Sequence, residues 1–151
     1  MNTELTNMIM ITDESTGKVL VQKRIKKWAG LSFPGGHIEK GESFVDSAVR
    51  ETKEETGLTV CNLKGCGVIH WTNTHTYDRY LAFLYKTSDF SGELIPETDE
   101  GKNLWMSIKQ LMAMPSTNGL HEIIYMFLHN EYSEAFGSWS DEQSWQINEF
   151  K

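Results

Sequence analysis

Residues 35–58, GGHIEKGESFVDSAVRETKEETGL, constrain this 151-residue chain more than any other stretch. Ser43 followed by Asp46 is typical of a helix start, and Gly57 stands where a left-handed residue commonly ends a helix. No helix-breaking residue lies between these positions. The segment therefore predicts a helix over residues 44–56, preceded by a loop that contains glycines.

The predicted helix has an apolar stripe and an acidic stripe. The apolar stripe consists of Val45, Ala48, Val49 and Thr52. The acidic stripe consists of Glu51, Glu54 and Glu55. Like charges at this spacing repel by about 0.2–0.5 kcal/mol per pair. A bound divalent cation would reverse that sign, because carboxylates are ligands that Mg²⁺ and Mn²⁺ prefer. Three glutamates alone are also typical of a solvated helix face.

The wider spacing favours the metal interpretation. Gly36, five residues, Glu42, seven residues and then RETKEETGL match the Nudix box, G-x5-E-x7-R-E-U-x-E-E-x-G-U, in which U is aliphatic. A chance match at seven fixed positions has a probability on the order of one in a million. The chain thus resembles the Nudix hydrolase superfamily. Thr52 departs from the pattern at an aliphatic position, which affects core packing but no proposed ligand.

Composition indicates a single domain over residues 1–151. The chain is 39% hydrophobic and 23% charged, as is ordinary for a globular protein, and it contains no repeat or linker. The net charge of −7 argues against a nucleic-acid polymer or an anionic membrane as partner. No apolar run is long enough to span a membrane and no secretory signal is present, so we expect a cytoplasmic protein. Cys61 and Cys66 lack zinc-site spacing and are expected to be free, buried thiols.

Strand and turn patterns predict a sheet interleaved with helices. The predicted strands cover residues 5–12, 18–24, 59–71, 79–87 and 104–106, with an extended segment at 31–34 and a closing hairpin within 135–150. A helical turn is predicted at 108–112 and a second helix at 118–129, the latter with Ile123, Ile124, Phe127 and Leu128 facing inward. Residues 88–102 are predicted to form a mobile loop. This order indicates an α/β fold, a sandwich around a mixed sheet.

Within this superfamily, the chain resembles the MutT-like, 8-oxo-dGTP diphosphatase branch. This resemblance rests on the size of the chain, the 100–105 segment, the Asn118 region and the Trp- and Phe-containing tail. It implies an α/β/α sandwich with a central mixed sheet. It also implies that Mg²⁺ or Mn²⁺ is held by the Gly35 carbonyl, Glu51, Glu54 and Glu55. Glu100 would add a loop carboxylate, although Glu97 and Asp99 are near competitors and a solvated glutamate is equally ordinary there. Glu42 and Arg50 would pair and fix the loop against the helix.

Substrate contacts are expected outside the box. Arg24 and Lys23 are candidate phosphate contacts, although cations at strand ends are ordinary. Leu31 and Phe33 are candidate walls for a base, and Asn118 is the candidate amide that would read it, unless it caps the following helix. Among the tryptophans, only Trp71 and Trp105 lie on segments expected to reach a cleft. The five histidines show no pairing typical of nucleophilic catalysis and are expected to be structural.

The resemblance favours Mg²⁺-dependent hydrolysis of a nucleoside triphosphate to the monophosphate and pyrophosphate, with 8-oxo-dGTP or a related oxidised purine nucleotide as the substrate. A second hypothesis keeps the chemistry but takes ADP-ribose, a dinucleoside polyphosphate or a pterin triphosphate. A third is a catalytically silent domain that senses a nucleotide, against which the intact glutamates argue. In each case the partner is a small-molecule nucleotide, and the protein is a monomer or a homodimer.

Overall fold

A mixed β-sheet organises the computed structural model, which describes residues 1–26 and 29–151. The strands are β1 (Thr3–Asp13), β2 (Lys18–Arg24), β3 (Gly30–Ser32), β4 (Gly35–His37), β5 (Thr59–Cys61), β6 (Lys64–Asn73), β7 (Arg79–Thr87), β8 (Asp89–Ser91), β9 (Glu97–Thr98), β10 (Gly101–Met106), β11 (Glu134–Trp139) and β12 (Gln146–Phe150). The helices are α1 (Phe44–Thr56), α2 (Ile108–Ala113) and α3 (Leu120–Leu128).

The main sheet has the strand order β12-β11-β6-β7-β1-β2-β10-β9, and β5 and β8 form a separate pair. Two neighbouring pairs, β1 with β7 and β6 with β11, run parallel, whereas the other pairs are antiparallel. Strand β4 pairs with β1 and sets Gly36 opposite Asn7. That pairing holds the loop before α1 against the centre of the sheet.

Helices cover both faces of this sheet. Leu111 of α2 and Ile124 of α3 belong to one core cluster, together with strand residues such as Met10. Val49 of α1 packs against the other cluster, which contains Ile9. Neighbouring strand residues point to opposite faces of the sheet, so Ile9 and Met10 belong to different core clusters. The predicted α/β/α sandwich with a mixed sheet is confirmed.

Helix α1 has the predicted bounds because both of its ends are capped. The Ser43 hydroxyl accepts a hydrogen bond from the Asp46 N–H at 3.0 Å. Gly57 has a φ of 78°, the left-handed conformation that suits glycine. The predicted apolar stripe is partly wrong, since Val45 is 42% exposed. Ser47 is fully buried instead, because it bonds to Asn7 on the sheet.

Several predicted elements need correction. Residues 59–71 form two strands rather than one, and Asn62 between them has a positive φ of 54°. Residues 88–102 are not one continuous loop, because parts of them pair as β8, as β9 and as the start of β10. Cys61 is exposed rather than buried, although both cysteines are free.

The second predicted helix starts later than expected. Helix α3 begins at Leu120, because Asn118 and Gly119 both have a positive φ, of 53° and 73°. Gly119 is its N-cap, so Asn118 does not cap the helix. Leu128, predicted to face inward, is 49% exposed. Among the described helices, none is long and apolar enough to cross a bilayer.

Candidate active site

A cavity of about 340 Å³ lies between the sheet, the start of β4, the inner face of α1 and the start of α3. Glu51, Glu55 and Glu100 form what we call the acidic wall. Trp71, Tyr80 and Trp145 form what we call the aromatic wall. The volume lies in the range of about 300–1,000 Å³ that is usual for small-molecule sites.

Glu55 is the most deeply buried carboxylate of the acidic wall, at 9% exposure. It accepts a hydrogen bond from the Gly35 N–H at 3.1 Å. Burial raises its pKa to about 7, the neighbouring charge of Glu51 acts in the same direction, and the Gly35 N–H opposes both. Asn103 donates to the Glu55 backbone carbonyl at 2.9 Å and so holds the last turn of α1.

Glu51 lies against a glycine. A Cβ atom at Gly36 would lie 2.6 Å from Glu51 Oε1, so a larger residue there would displace this carboxylate from its position. Burial raises the pKa of Glu51, whereas its hydrogen bond with Arg50 lowers it. The spacing between Gly36 and Glu51 that the box prescribes therefore has a steric reason in this chain.

Arg50 joins the loop to the helix through Glu42. Its Nε and Nη2 donate to the two Glu42 carboxylate oxygens at 2.7 and 2.9 Å, and Nη2 also donates to the His37 carbonyl at 3.1 Å. This bidentate pair lowers the pKa of Glu42 to about 2. Arg50 Nη1 further contacts Glu51 at 2.9 Å and Glu54 at 3.3 Å.

The remaining predicted charged residues divide into two groups. Arg24 and Glu100 both line the cavity and are paired at 3.2 Å. Glu54 does not line the cavity, and its side chain is 59% exposed. Lys23 does not line the cavity either, because neighbouring strand residues point to opposite sides and Arg24 takes the side that faces the cavity. Glu97 and Asp99 are also absent from the lining.

The structure brings the predicted base contacts Leu31, Phe33 and Asn118 to this same cavity. Phe33 is fixed there by an edge-to-face contact with Phe127, with ring centroids 5.1 Å apart. Trp105 does not reach the cavity, since it packs against Phe90 in the other core.

Sequence reasoning missed Tyr80 and Trp145, and it treated Trp71 only as a tryptophan on a segment that reaches the cleft. Trp71, Tyr80 and Trp145 contact one another with centroid distances of 5.2–6.0 Å. They come from β6, from β7 and from the residue before β12, so no local motif connects them. The period-2 pattern of β7 was the available signal for Tyr80, because Tyr80 and the buried Ala82 share one face.

The acidic wall has the donor set for a hard divalent cation. Within residues 1–26 and 29–151, no three His, Cys, Asp or Glu side chains are already arranged as a metal-binding group. Arg50 and the Gly35 N–H hold Glu51 and Glu55 instead. Both carboxylates have pKa values raised by burial, so a cation would relieve their unfavourable charge. The residues therefore fit a Mg²⁺ or Mn²⁺ ion.

The chain belongs to the Nudix family, because the NUDIX domain model matches residues 3–128. The uncharacterized Nudix hydrolase YvcI of Bacillus subtilis is 30% identical over 118 residues, which are 76% of this chain and 72% of that protein. Membership supports a pyrophosphohydrolase, and Nudix hydrolases generally use divalent metal ions.

Two further similarities concern a longer protein and a solved structure. The NAD-capped RNA hydrolase NudC of Pseudomonas aeruginosa is 33% identical over 86 residues, which are 56% of this chain but only 30% of NudC. The mutator MutT protein of Bacillus halodurans matches with a TM-score of 0.78 at 21% identity, covering 98% of this chain and 96% of that one. The latter similarity shows the fold.

Proposed function

We propose that the protein is a divalent-metal-dependent pyrophosphohydrolase that converts a nucleoside triphosphate to the monophosphate and pyrophosphate. The leading substrate is 8-oxo-dGTP or a related oxidised purine nucleotide. The observation that carries the proposal is that one cavity combines the acidic wall and the aromatic wall in its lining. A nucleotide has the matching parts, a polyphosphate that needs cations and an aromatic base.

The acidic wall would carry the chemistry. Glu51, Glu55 and the Gly35 carbonyl would bind the metal, and Glu54 and Glu100 would join them after side-chain movement. When bound, the metal neutralises phosphate charge and lowers the pKa of a water molecule. Arg50 orients Glu51 through their 2.9 Å contact and is itself held by Glu42.

Arg24 would contribute to phosphate binding from the other side of the cavity. It is 23% exposed at its side chain and is paired with Glu100. A phosphate offers a guanidinium the same bidentate geometry as a carboxylate, so the substrate would compete with Glu100 for Arg24. That exchange would leave Glu100 available to the metal.

Asn118 would read the base. Oxidation of guanine at C8 makes N7 a hydrogen-bond donor and adds a carbonyl, and an amide side chain offers both an acceptor and a donor. Asn118 lines the cavity beside α3 and does not cap that helix. Asn118 is exposed in the structure, so the bound base itself would cover the amide, and a base that left the covered amide unpaired would be disfavoured.

The second candidate is another nucleoside diphosphate-linked substrate, such as ADP-ribose, a dinucleoside polyphosphate or a pterin triphosphate. The similarity to NudC, named as a hydrolase of NAD-capped RNA, favours keeping this candidate. A silent nucleotide sensor is the weakest hypothesis, because Glu51, Glu54 and Glu55 are all present. The binding partner we propose is a small nucleotide rather than a nucleic-acid polymer or a membrane. We also propose that the protein is cytoplasmic and is a monomer or a homodimer.

A substrate panel tests the proposal. Purified protein is incubated with Mg²⁺ or Mn²⁺ and with dGTP, 8-oxo-dGTP, ADP-ribose, a dinucleoside tetraphosphate and NAD-capped RNA, and pyrophosphate and phosphate are detected separately. We expect pyrophosphate from 8-oxo-dGTP with the highest kcat/KM, and no turnover in EDTA. Equal use of dGTP and 8-oxo-dGTP would reject the oxidised-purine substrate, and turnover in EDTA would reject the metal.

A further inference from the structure

We propose that the C-terminal hairpin, β11 and β12, makes the cavity selective for a nucleobase, and that Trp145 is the residue that contacts the base. The inference rests on the proposed function, since it concerns the same cavity. The NUDIX match ends at residue 128, whereas the hairpin starts at Glu134. The hairpin therefore adds a cavity residue that the family match does not include.

The hairpin is built into the sheet rather than appended to it. Strand β11 pairs in parallel with β6 and sets Gly137 opposite Trp71. A Cβ atom at Gly137 would lie 2.9 Å from Trp71 Cδ1 and would also clash with the Gln146 carbonyl. A register shift in the β11–β12 pairing falls between Phe136 and Gly137. Gly137 thus allows the hairpin to approach Trp71 closely, just before the loop that leads to Trp145.

Trp145 is held in place by rings on three sides. It stacks on Trp139 with the ring centroids 4.3 Å apart and an angle of 4° between the planes. Trp71 and Tyr80 meet it edge to face at 5.3 and 5.2 Å. Such contacts add about 0.5–1.5 kcal/mol per pair beyond the area that they bury. The indole therefore forms a rigid apolar surface at the cavity rather than a loose side chain.

A second observation indicates a ligand with hydrogen-bond acceptors. Trp71, 5% exposed, carries an indole Nε1–H that has no hydrogen-bond partner among the described residues. Ser32 Oγ, on another lining residue, is likewise buried and unpartnered within that part of the chain. Buried donors of this kind are normally satisfied, and a nucleobase offers ring nitrogens and carbonyl oxygens as acceptors. A base carried to this end of the cavity would place acceptors beside the aromatic wall, where these donors lie.

The test compares ligands that differ only in the base. For the wild type we expect calorimetry to show tighter binding of dGMP than of 2-deoxyribose 5-phosphate, without added metal. Trp145→Ala should weaken dGMP binding and raise KM for dGTP about tenfold or more, the effect typical of losing one base-stacking aromatic residue. It should leave 2-deoxyribose 5-phosphate binding and kcat nearly unchanged. Trp145→Phe should restore most of the dGMP affinity.

Phe136→Ala is the matched control, because Phe136 lies on the same hairpin but contacts His70 and does not line the cavity. A similar loss of dGMP affinity in Phe136→Ala and Trp145→Ala would overturn the inference in favour of general hairpin destabilisation. Equal wild-type binding of the two phosphates would also overturn it. The proposed function has a separate readout, since it is tested by metal-dependent release of pyrophosphate in the substrate panel and not by the difference between dGMP and 2-deoxyribose 5-phosphate binding. If Trp145→Ala does not fold, the comparison is made with Trp145→Leu.

Discussion

The acidic wall and the aromatic wall line one cavity but are held in different ways. Charged hydrogen bonds within a short segment position the acidic wall, where Arg50 contacts both Glu42 and Glu51 and the Gly35 N–H contacts Glu55. Ring contacts between distant segments position the aromatic wall. Removing a directional charged contact misplaces a reacting group, whereas removing packed area weakens binding. We therefore expect changes in the acidic wall to lower kcat and changes in the aromatic wall to raise KM.

The largest expected effect is that of Glu55→Gln. The variant keeps the shape of the side chain and removes its charge, and kcat should fall by at least about a hundredfold, as when a preorganised electrostatic group is lost. Burial already disfavours the charged form of Glu55, so the neutral glutamine should fold as stably as the wild type. Steady-state kinetics at saturating Mg²⁺ and a thermal melt measure both quantities.

Glu93→Gln serves as the control for this substitution, because Glu93 is exposed and does not line the cavity. Near-full turnover of Glu55→Gln would show that the acidic wall does not carry the chemistry. A lower Tm in Glu55→Gln than in Glu93→Gln would instead assign the loss to folding.

The next effect concerns the Glu42–Arg50 pair. Arg50→Ala and Glu42→Ala should each lower Tm and lower kcat, by up to about a hundredfold, as expected when a catalytic group moves by about 1 Å. The double variant should be little worse than the worse single variant, since residues that act as a pair are non-additive. Kinetics and melts of all four proteins give the coupling. Fully additive losses would contradict a role for the pair in positioning Glu51.

How well the sequence predicts each wall depends on how close together in the chain the residues that position it lie. Helix α1, its caps and the Glu42–Arg50 spacing lie within one segment, where the pattern and the period of the helix specify geometry. Asn103, which holds the Glu55 backbone, lies 48 positions away and has no local signal. The aromatic wall depends on β11 joining β6 in parallel, a pairing between residues about 66 positions apart that periodicity does not specify.

The local sequence pattern also does not predict which individual side chains are exposed. Val45 belongs to the predicted apolar stripe but is exposed, because the helix turns Ser47 rather than Val45 toward Asn7 on the sheet. The sequence offers both Lys23 and Arg24 as candidate phosphate contacts, but the alternation of β2 directs only Arg24 to the cavity. The contact with the sheet decides the first case and the alternation of the strand decides the second.

A smaller effect is expected at Asn118, where the change is in selectivity. Asn118 has a φ of 53°, so glycine keeps the backbone conformation while removing the amide. Asn118→Gly should reduce the preference for 8-oxo-dGTP over dGTP about tenfold, within the range of about 1–3 kcal/mol typical of base discrimination by an amide. The kcat on dGTP should be retained. An unchanged ratio of kcat/KM values for the two nucleotides would reject Asn118 as the residue that reads the base.

The most direct test of the central claim compares one variant from each wall on one substrate. Glu55→Gln and Trp145→Ala are assayed with the preferred nucleoside triphosphate for kcat and KM, and with the corresponding monophosphate for Kd. The account predicts that Glu55→Gln lowers kcat at an unchanged monophosphate Kd, and that Trp145→Ala raises KM and Kd at nearly unchanged kcat. If both variants changed kcat and Kd in the same proportion, the division of labour between the two walls would be contradicted.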